Sequence, residues 1–134
     1  METLECETLL VADRVIREDN GKFSIIGIFK QINLPKFPAV IAPWHVYAHI
    51  NNLPKDKVIS VTISIYNVET TLVVFSQTID IPDAQRKGDD LDINLQIANV
   101  AFQKPGKHAV SINVNGETLR LMYLNVLQIG SVAS

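Results

Sequence analysis

Three side chains with polar tips stand at alternate positions of one short segment, and their types could support binding or proton transfer. His45, Tyr47 and His49 alternate with apolar residues that begin at Trp44. In a β-strand this spacing places the histidines and the tyrosine on one face and the tryptophan on the other. Amphipathic rings suit carbohydrate or protein surfaces, and they equally suit a half-buried sheet face. Trp44, His45, Tyr47 and His49 therefore form a candidate binding strip.

Metal binding and catalysis by the histidines find little support in their spacing. Four residues of strand separate His45 from His49 by ~13 Å, too far for two ligands of one metal ion. His108 begins another segment, where no Cys or Glu stands at ligand spacing. We therefore expect no catalytic residue, no cofactor and no metal, and we interpret the protein as not an enzyme. A hydrolase or metal enzyme assembled from distant residues stays open.

An acidic segment from Asp80 to Asp92 raises the question of calcium, which takes six to eight oxygen ligands. Its spacing does not match the helix-loop-helix calcium pattern, and Arg86 and Lys87 interrupt it with positive charge. We interpret it as a solvated loop and leave calcium binding open.

Composition excludes several classes of protein. The chain has 134 residues, and 12 Lys and Arg against 14 Asp and Glu give a net charge of -2, so no basic field favours nucleic acid. No apolar run approaches the ~18 residues of a membrane span, and no basic segment of a secretory signal is visible. Cys6 is the single cysteine, which excludes an internal disulfide and predicts a buried thiol. We expect a cytoplasmic protein that binds neither nucleic acid nor membrane.

The elements that must position these residues are strands. Apolar and polar residues alternate with a period of two in Val58–Tyr66, Leu91–Ile97 and His108–Val114. The pairs Asn20-Gly21 and Asn115-Gly116 suit type I′ hairpin turns. The pattern predicts eight strands, at Glu5–Val15, Phe23–Ile32, Trp44–Ile50, Val58–Tyr66, Leu72–Ile81, Leu91–Phe102, His108–Val114 and Glu117–Ile129.

Short strands with turns between them predict an all-β fold, an antiparallel β-sandwich of about eight strands. We expect one domain over residues 1–134, with a frayed tail at residues 131–134. A helical stripe is the alternative for Thr8–Ile16, and three prolines make Leu34–Pro43 an extended crossover. Gly27 indicates a bulge or a close backbone approach.

Several signatures along the chain resemble an uncharacterised family of small bacterial all-β proteins. They are Cys6-Glu7, Asp13, Ser24–Phe29, Phe37-Pro38, Tyr47, Pro105-Gly106 and Asn115-Gly116-Glu117. The closing hairpin also looks like that of immunoglobulin-like modules, which implies a fold and leaves the activity open.

Two functions fit this pattern. The first is a non-enzymatic interaction module that binds a protein partner or a second copy through a sheet face or edge strand. Its candidate interface residues are Phe75, Met122 and Tyr123, in segments whose two faces both carry large apolar groups. The alternative is a small-ligand or carbohydrate-binding sandwich that uses the strip from Trp44 to His49 and requires exposed rings.

Overall fold

The computed structural model describes residues 3–55, 57–82 and 88–129. These residues form eleven strands and include no apolar helix of membrane-spanning length. The strands are β1 (Glu5–Arg17), β2 (Phe23–Ile28), β3 (Gln31–Leu34), β4 (Ala39–Val40), β5 (Trp44–Asn51), β6 (Ile59–Asn67), β7 (Val73–Ile81), β8 (Leu91–Ile97), β9 (Ala101–Phe102), β10 (Gly106–Val114) and β11 (Glu117–Gln128). The helical alternative for Thr8–Ile16 is wrong, because these residues lie in β1.

Two sheets pack face to face and enclose the core. The first has the strand order β2-β1-β5-β8, the second has the order β3-β11-β10-β6-β7, and β4 with β9 forms a small separate pair. Strand alternation explains the packing: β6 turns Ile59, Val61, Ile63 and Ile65 inward, where they are fully buried. The prediction of an immunoglobulin-like β-sandwich is confirmed.

One segment, residues 23–34, takes part in both sheets. Its first part, β2, pairs antiparallel with β1, and its second part, β3, pairs parallel with β11. The predicted single strand Phe23–Ile32 is therefore wrong in its continuity, and one pairing in the sandwich is parallel. The expected close approach at Gly27 is present, since a Cβ there would lie 2.4 Å from Asp13 Oδ2, and its φ is +73°. Only glycine adopts this conformation freely.

Turn chemistry explains two of the hairpin connections between strands. Asn115 and Gly116 both have positive φ, as a type I′ turn requires, and they join β10 to β11. At Asn20-Gly21 the hairpin forms, but only Gly21 has positive φ, and its N–H donates to Glu18 O at 2.9 Å. The predicted type I′ turn is wrong there.

Two predicted segments differ from the observed strands near the small sheet. Leu91–Phe102 divides into β8 and β9 at a turn where Asn99 has a φ of 60°. The prolyl crossover contains the two-residue strand β4, which pairs with β9. Tertiary pairing, rather than local alternation, decides both cases.

Candidate functional site

The predicted binding strip divides between the two faces of β5. Trp44 is 2% exposed and packs edge-on against Phe29, with ring centroids 5.7 Å apart. Including Trp44 in an accessible strip is therefore wrong, because strand alternation turns it into the core. His45, Tyr47 and His49 lie on the opposite, outer face and are half-buried.

Asp92 of β8 contacts two of these side chains through one carboxylate oxygen. Tyr47 donates its hydroxyl hydrogen to Asp92 Oδ1 at 2.5 Å, and His49 Nδ1 lies 2.6 Å from the same oxygen. On the other side of the ring, His49 Nε2 lies 3.5 Å from Asp90 Oδ2 and 3.8 Å from Glu7 Oε2. We call these five residues the His49 cluster.

The His49 cluster changes the titration of its members. The hydrogen bond to Asp92 raises the pKa of His49, although burial opposes the change. Burial and the bond to Asp92 raise the pKa of Tyr47. Burial would raise the pKa of Asp92, but the hydrogen bonds from Tyr47 and His49 outweigh it and lower that pKa. The cluster is thus a protonated imidazole surrounded by carboxylates at mildly acidic pH.

Chemistry at the His49 cluster is limited by what lies around it. An imidazole held by a carboxylate resembles half of a catalytic triad, but its free nitrogen faces carboxylates rather than a nucleophile. The Cys6 thiol donates to Thr8 O at 3.1 Å, and burial raises its pKa, so it is a poor nucleophile. No group of metal-ligating side chains that could hold an ion occurs in the described part of the chain.

The remaining histidines and the acidic segment lie apart from this cluster. His45 Nδ1 lies 3.3 Å from Asp13 O, and His108 is buried on the inner face of the other sheet. The three histidines therefore do not meet. Residues 83–87 of the acidic segment lie outside the described residues, so calcium binding by that segment stays open.

The predicted interface residues also divide between two faces. Phe75 pairs with Ile65 and Met122 pairs with Val110, so both side chains point toward the core and are partly buried against it. Phe75 and Met122 are thus half-buried on the inner faces of their strands, and their part in an interface stays a prediction. Tyr123 lies on the outer face and is 46% exposed.

Beside Tyr123, one edge of the sandwich is open. β3 pairs with β11 only from Asn125 onward, so within the described residues no strand covers the earlier part of β11. Asn125 N–H donates to Lys30 O at 2.9 Å, which shows that this residue faces away from β10. Because backbone direction alternates, Tyr123 and Leu121 also direct their N–H and C=O groups outward.

A groove of about 510 Å³ runs along this edge, between β11 and the strands β1 and β2. Leu10, Ile28 and Leu121 contribute apolar walls, and Leu121 and Ile28 are exposed. Three cations also line this edge groove: Lys30, Lys107 and Arg120.

Two of these cations have defined contacts. Lys107 Nζ lies 4.0 Å above the Tyr123 ring, and Arg120 Nη1 donates to Cys6 O at 3.3 Å. Sequence reasoning drew attention to the segment of Met122 and Tyr123 but missed the cations, which come from separate parts of the chain. Only the apolar character of both faces of this segment was visible.

Comparison with known proteins identifies a family and a fold. The model of a family of unknown function, DUF6941, matches residues 7–127. No curated protein matches the sequence.

Solved structures with a similar fold share little sequence. The C-terminal domain of Wzt is 9% identical with a TM-score of 0.55, over 98% of this chain and 81% of that one. The DNA glycosylase AlkC of Pseudomonas fluorescens, bound to DNA with an abasic site analogue, is 15% identical with a TM-score of 0.52 over 92% of this chain. A Listeria innocua β-glucosidase in complex with gluconolactone is 13% identical with a TM-score of 0.49, over 96% of this chain. The chain spans 30% of the glycosylase and 16% of the glucosidase. The likenesses to the Wzt domain and to the glycosylase concern the fold alone.

Proposed function

The chain belongs to the DUF6941 family of unknown function, and we propose that it is a protein-interaction module that binds an extended segment of a partner protein. The open edge of β11 beside the cationic edge groove carries this proposal. An exposed strand edge offers unpaired N–H and C=O groups to an added strand. Leu121 and Tyr123 present these groups together with exposed apolar side chains.

The charges of the edge groove favour an acidic partner segment. Lys30, Lys107 and Arg120 line it, and no carboxylate is among its lining residues. An added strand that alternates apolar and acidic residues would place the apolar groups against Leu121 and Tyr123. Its acidic groups would then lie on the other face of the added strand, the face on which Arg120 lies, and this charge pairing gives specificity and speeds association.

A second copy of the chain is a poorer occupant of the same edge. Two copies joined edge to edge would bring the two sets of cations together, and like charges across an interface oppose association. We therefore assign the edge to a different protein.

Peptide binding tests the proposal directly. Short synthetic peptides in which Val alternates with Glu are titrated into the ¹⁵N-labelled protein, and matched Val/Lys peptides serve as the charge control. We expect the Val/Glu peptide to shift the amide signals of Leu121 and Tyr123 and to slow their hydrogen exchange. Equal binding of both peptides, or shifts confined to other strands, would contradict the proposal.

Matched variants distinguish the contribution of the strand edge to peptide binding from the contribution of the cations. Leu121→Pro removes an outward N–H while Leu121→Ile keeps it, so only the proline should abolish binding. Lys30→Glu should weaken binding of the Val/Glu peptide about tenfold, whereas Lys22→Glu, on the exposed turn after β1, should not. Sedimentation of the free protein at high concentration checks the oligomeric state, and a dimer that Leu121→Pro dissolves would assign the edge to a second copy instead.

A further inference from the structure

A second cavity lies at one end of the sandwich, away from the edge groove. It has a volume of about 290 Å³. Two fully or nearly fully buried side chains, His108 at 1% exposure and Asn67 at 4%, form its floor. Leu72 and Val74 contribute apolar walls, and exposed side chains of the turns around it form the rim. We call this cavity the end pocket.

His108 offers a hydrogen-bond acceptor in the end pocket. Its Nδ1 lies 3.0 Å from Gly106 O, and a carbonyl can only accept, so the proton is on Nδ1 and Nε2 carries a lone pair. Burial lowers the pKa of His108, which keeps the ring neutral. Phe102 contacts the ring edge-on at 5.1 Å and fixes its plane. Nε2 has no hydrogen-bond partner within residues 3–55, 57–82 and 88–129.

Asn67 offers a donor beside this acceptor. It is the cross-strand partner of His108, and both face inward. Its Oδ1 accepts from the N–H groups of Glu69 at 2.9 Å and Thr70 at 3.0 Å, which fixes the orientation of the amide. Nδ2 is thus directed away from that turn, and the described residues supply no acceptor for it.

Unpartnered polar atoms at such depth are unfavourable and indicate a place for another molecule. A buried group left without a hydrogen bond loses the favourable interaction with water that it has in the unfolded chain and gains nothing in return. Here the acceptor and the donor belong to cross-strand partners that both line the cavity, under apolar walls. A hydroxyl group satisfies both, since its hydrogen is donated to Nε2 while its oxygen accepts from Nδ2.

We propose that the end pocket binds a small apolar molecule carrying one hydroxyl group, of the phenol or short-chain alcohol class, with the hydroxyl between His108 Nε2 and Asn67 Nδ2. The pocket volume lies at the small end of ligand sites, which suits a single ring or a short chain. This site is independent of the edge groove, because the two share no lining residue.

Nuclear magnetic resonance on the histidine rings tests the proposal. The chain has 3 histidines, so their ¹⁵N signals separate readily. Phenol is titrated into the full chain, and toluene provides the matched molecule without the hydroxyl. We expect phenol to shift the Nε2 signal of His108 and to leave His45 unchanged. We also expect phenol to bind about tenfold more tightly than toluene, as one added pair of hydrogen bonds predicts.

Variants at the rim keep the test independent of folding. Leu72 and Val73 are both exposed neighbours, but only Leu72 lines the pocket. Leu72→Trp should therefore block phenol, while Val73→Trp should bind it like the unmodified chain. His108→Phe should remove the preference for phenol over toluene. Equal affinity for the two molecules, an unmoved His108 signal, or normal binding by Leu72→Trp would overturn the proposal.

Discussion

His49 and His108 occupy opposite situations in the same sandwich. His49 lies on an outer face, and both of its ring nitrogens point to carboxylates, so its pKa is raised. His108 lies in the interior, where one nitrogen bonds Gly106 O and the other has no described partner, and burial lowers its pKa. The accessible His49 thus has a partner for both ring nitrogens, whereas the buried His108 has one nitrogen still able to accept a hydrogen bond.

This contrast shows why exposure alone is a poor guide to a binding site. The outer strip attracted attention because its rings alternate on a strand, yet the polar atoms of Tyr47 and His49 are occupied by neighbours. His108 suggested only a strand-end residue, yet it forms the floor of a cavity. Unsatisfied hydrogen-bonding capacity inside a cavity is the more informative signal.

Truncation of the buried ring should give the largest effect. His108→Ala removes a fully buried ring that packs against Phe102, and we expect a loss of about 3 kcal/mol in the free energy of unfolding. His45→Ala, at a half-buried site, should cost less than about 1 kcal/mol. Urea denaturation measures both, and equal losses would mean that the interior and the outer face do not differ in packing.

Removal of the shared carboxylate should have an intermediate effect. Asp92→Asn replaces the charged acceptor of Tyr47 and His49, and we expect a loss of about 1–2 kcal/mol at pH 6. Asp89→Asn, at an exposed position nearby, should leave stability unchanged within about 0.5 kcal/mol. A loss for Asp92→Asn no larger than for its control would show that the His49 cluster does not stabilise the fold.

The pH dependence of stability should show a smaller contribution from His49. Because its folded pKa is raised above 6.5, its contribution is fully present below pH 6.5 and is lost as pH rises through the folded value. His49→Gln should therefore cost about 1 kcal/mol at pH 6 and less at pH 8. Denaturation at the two pH values checks this, and a larger cost at pH 8 would reverse the sign of the argument.

The titration of the two rings gives the most direct comparison. Nuclear magnetic resonance should find His49 titrating above pH 6.5 and His108 below it. The buried ring contributes with the opposite sign, because its depressed pKa makes the fold lose stability as pH falls below 6.5. The reverse order of titration would contradict both assigned environments.

Sequence patterns predicted the fold where local periodicity and the final pairing agree. The alternation in Val58–Tyr66 predicts β6 within one residue at each end, and Asn115-Gly116 predicts its hairpin. The division of Phe23–Ile32 was not predictable in this way. It depends on Phe29 N–H bonding Val11 O in one sheet while Lys30 O accepts from Asn125 N–H in the other.

Both candidate sites were largely beyond sequence reasoning because their contacts are non-local. Asp92 meets His49 from a strand 43 residues away, and Asn67 is paired with His108 from another strand. The alternation around Tyr47 places its ring on the outer face. No local sequence pattern predicts the Asp92 carboxylate that accepts its hydroxyl hydrogen. Likewise, an apolar strand that ends in an asparagine does not reveal a cavity.

The parallel pairing of β3 with β11 has a consequence for synthesis of the chain. Gln31 pairs with Asn125, so the early strand must wait for the last one to leave the ribosome. At about 5–20 residues per second this interval is on the order of 5–20 s. During that time β3 has no β11 beside it, and its edge is open to other nascent chains.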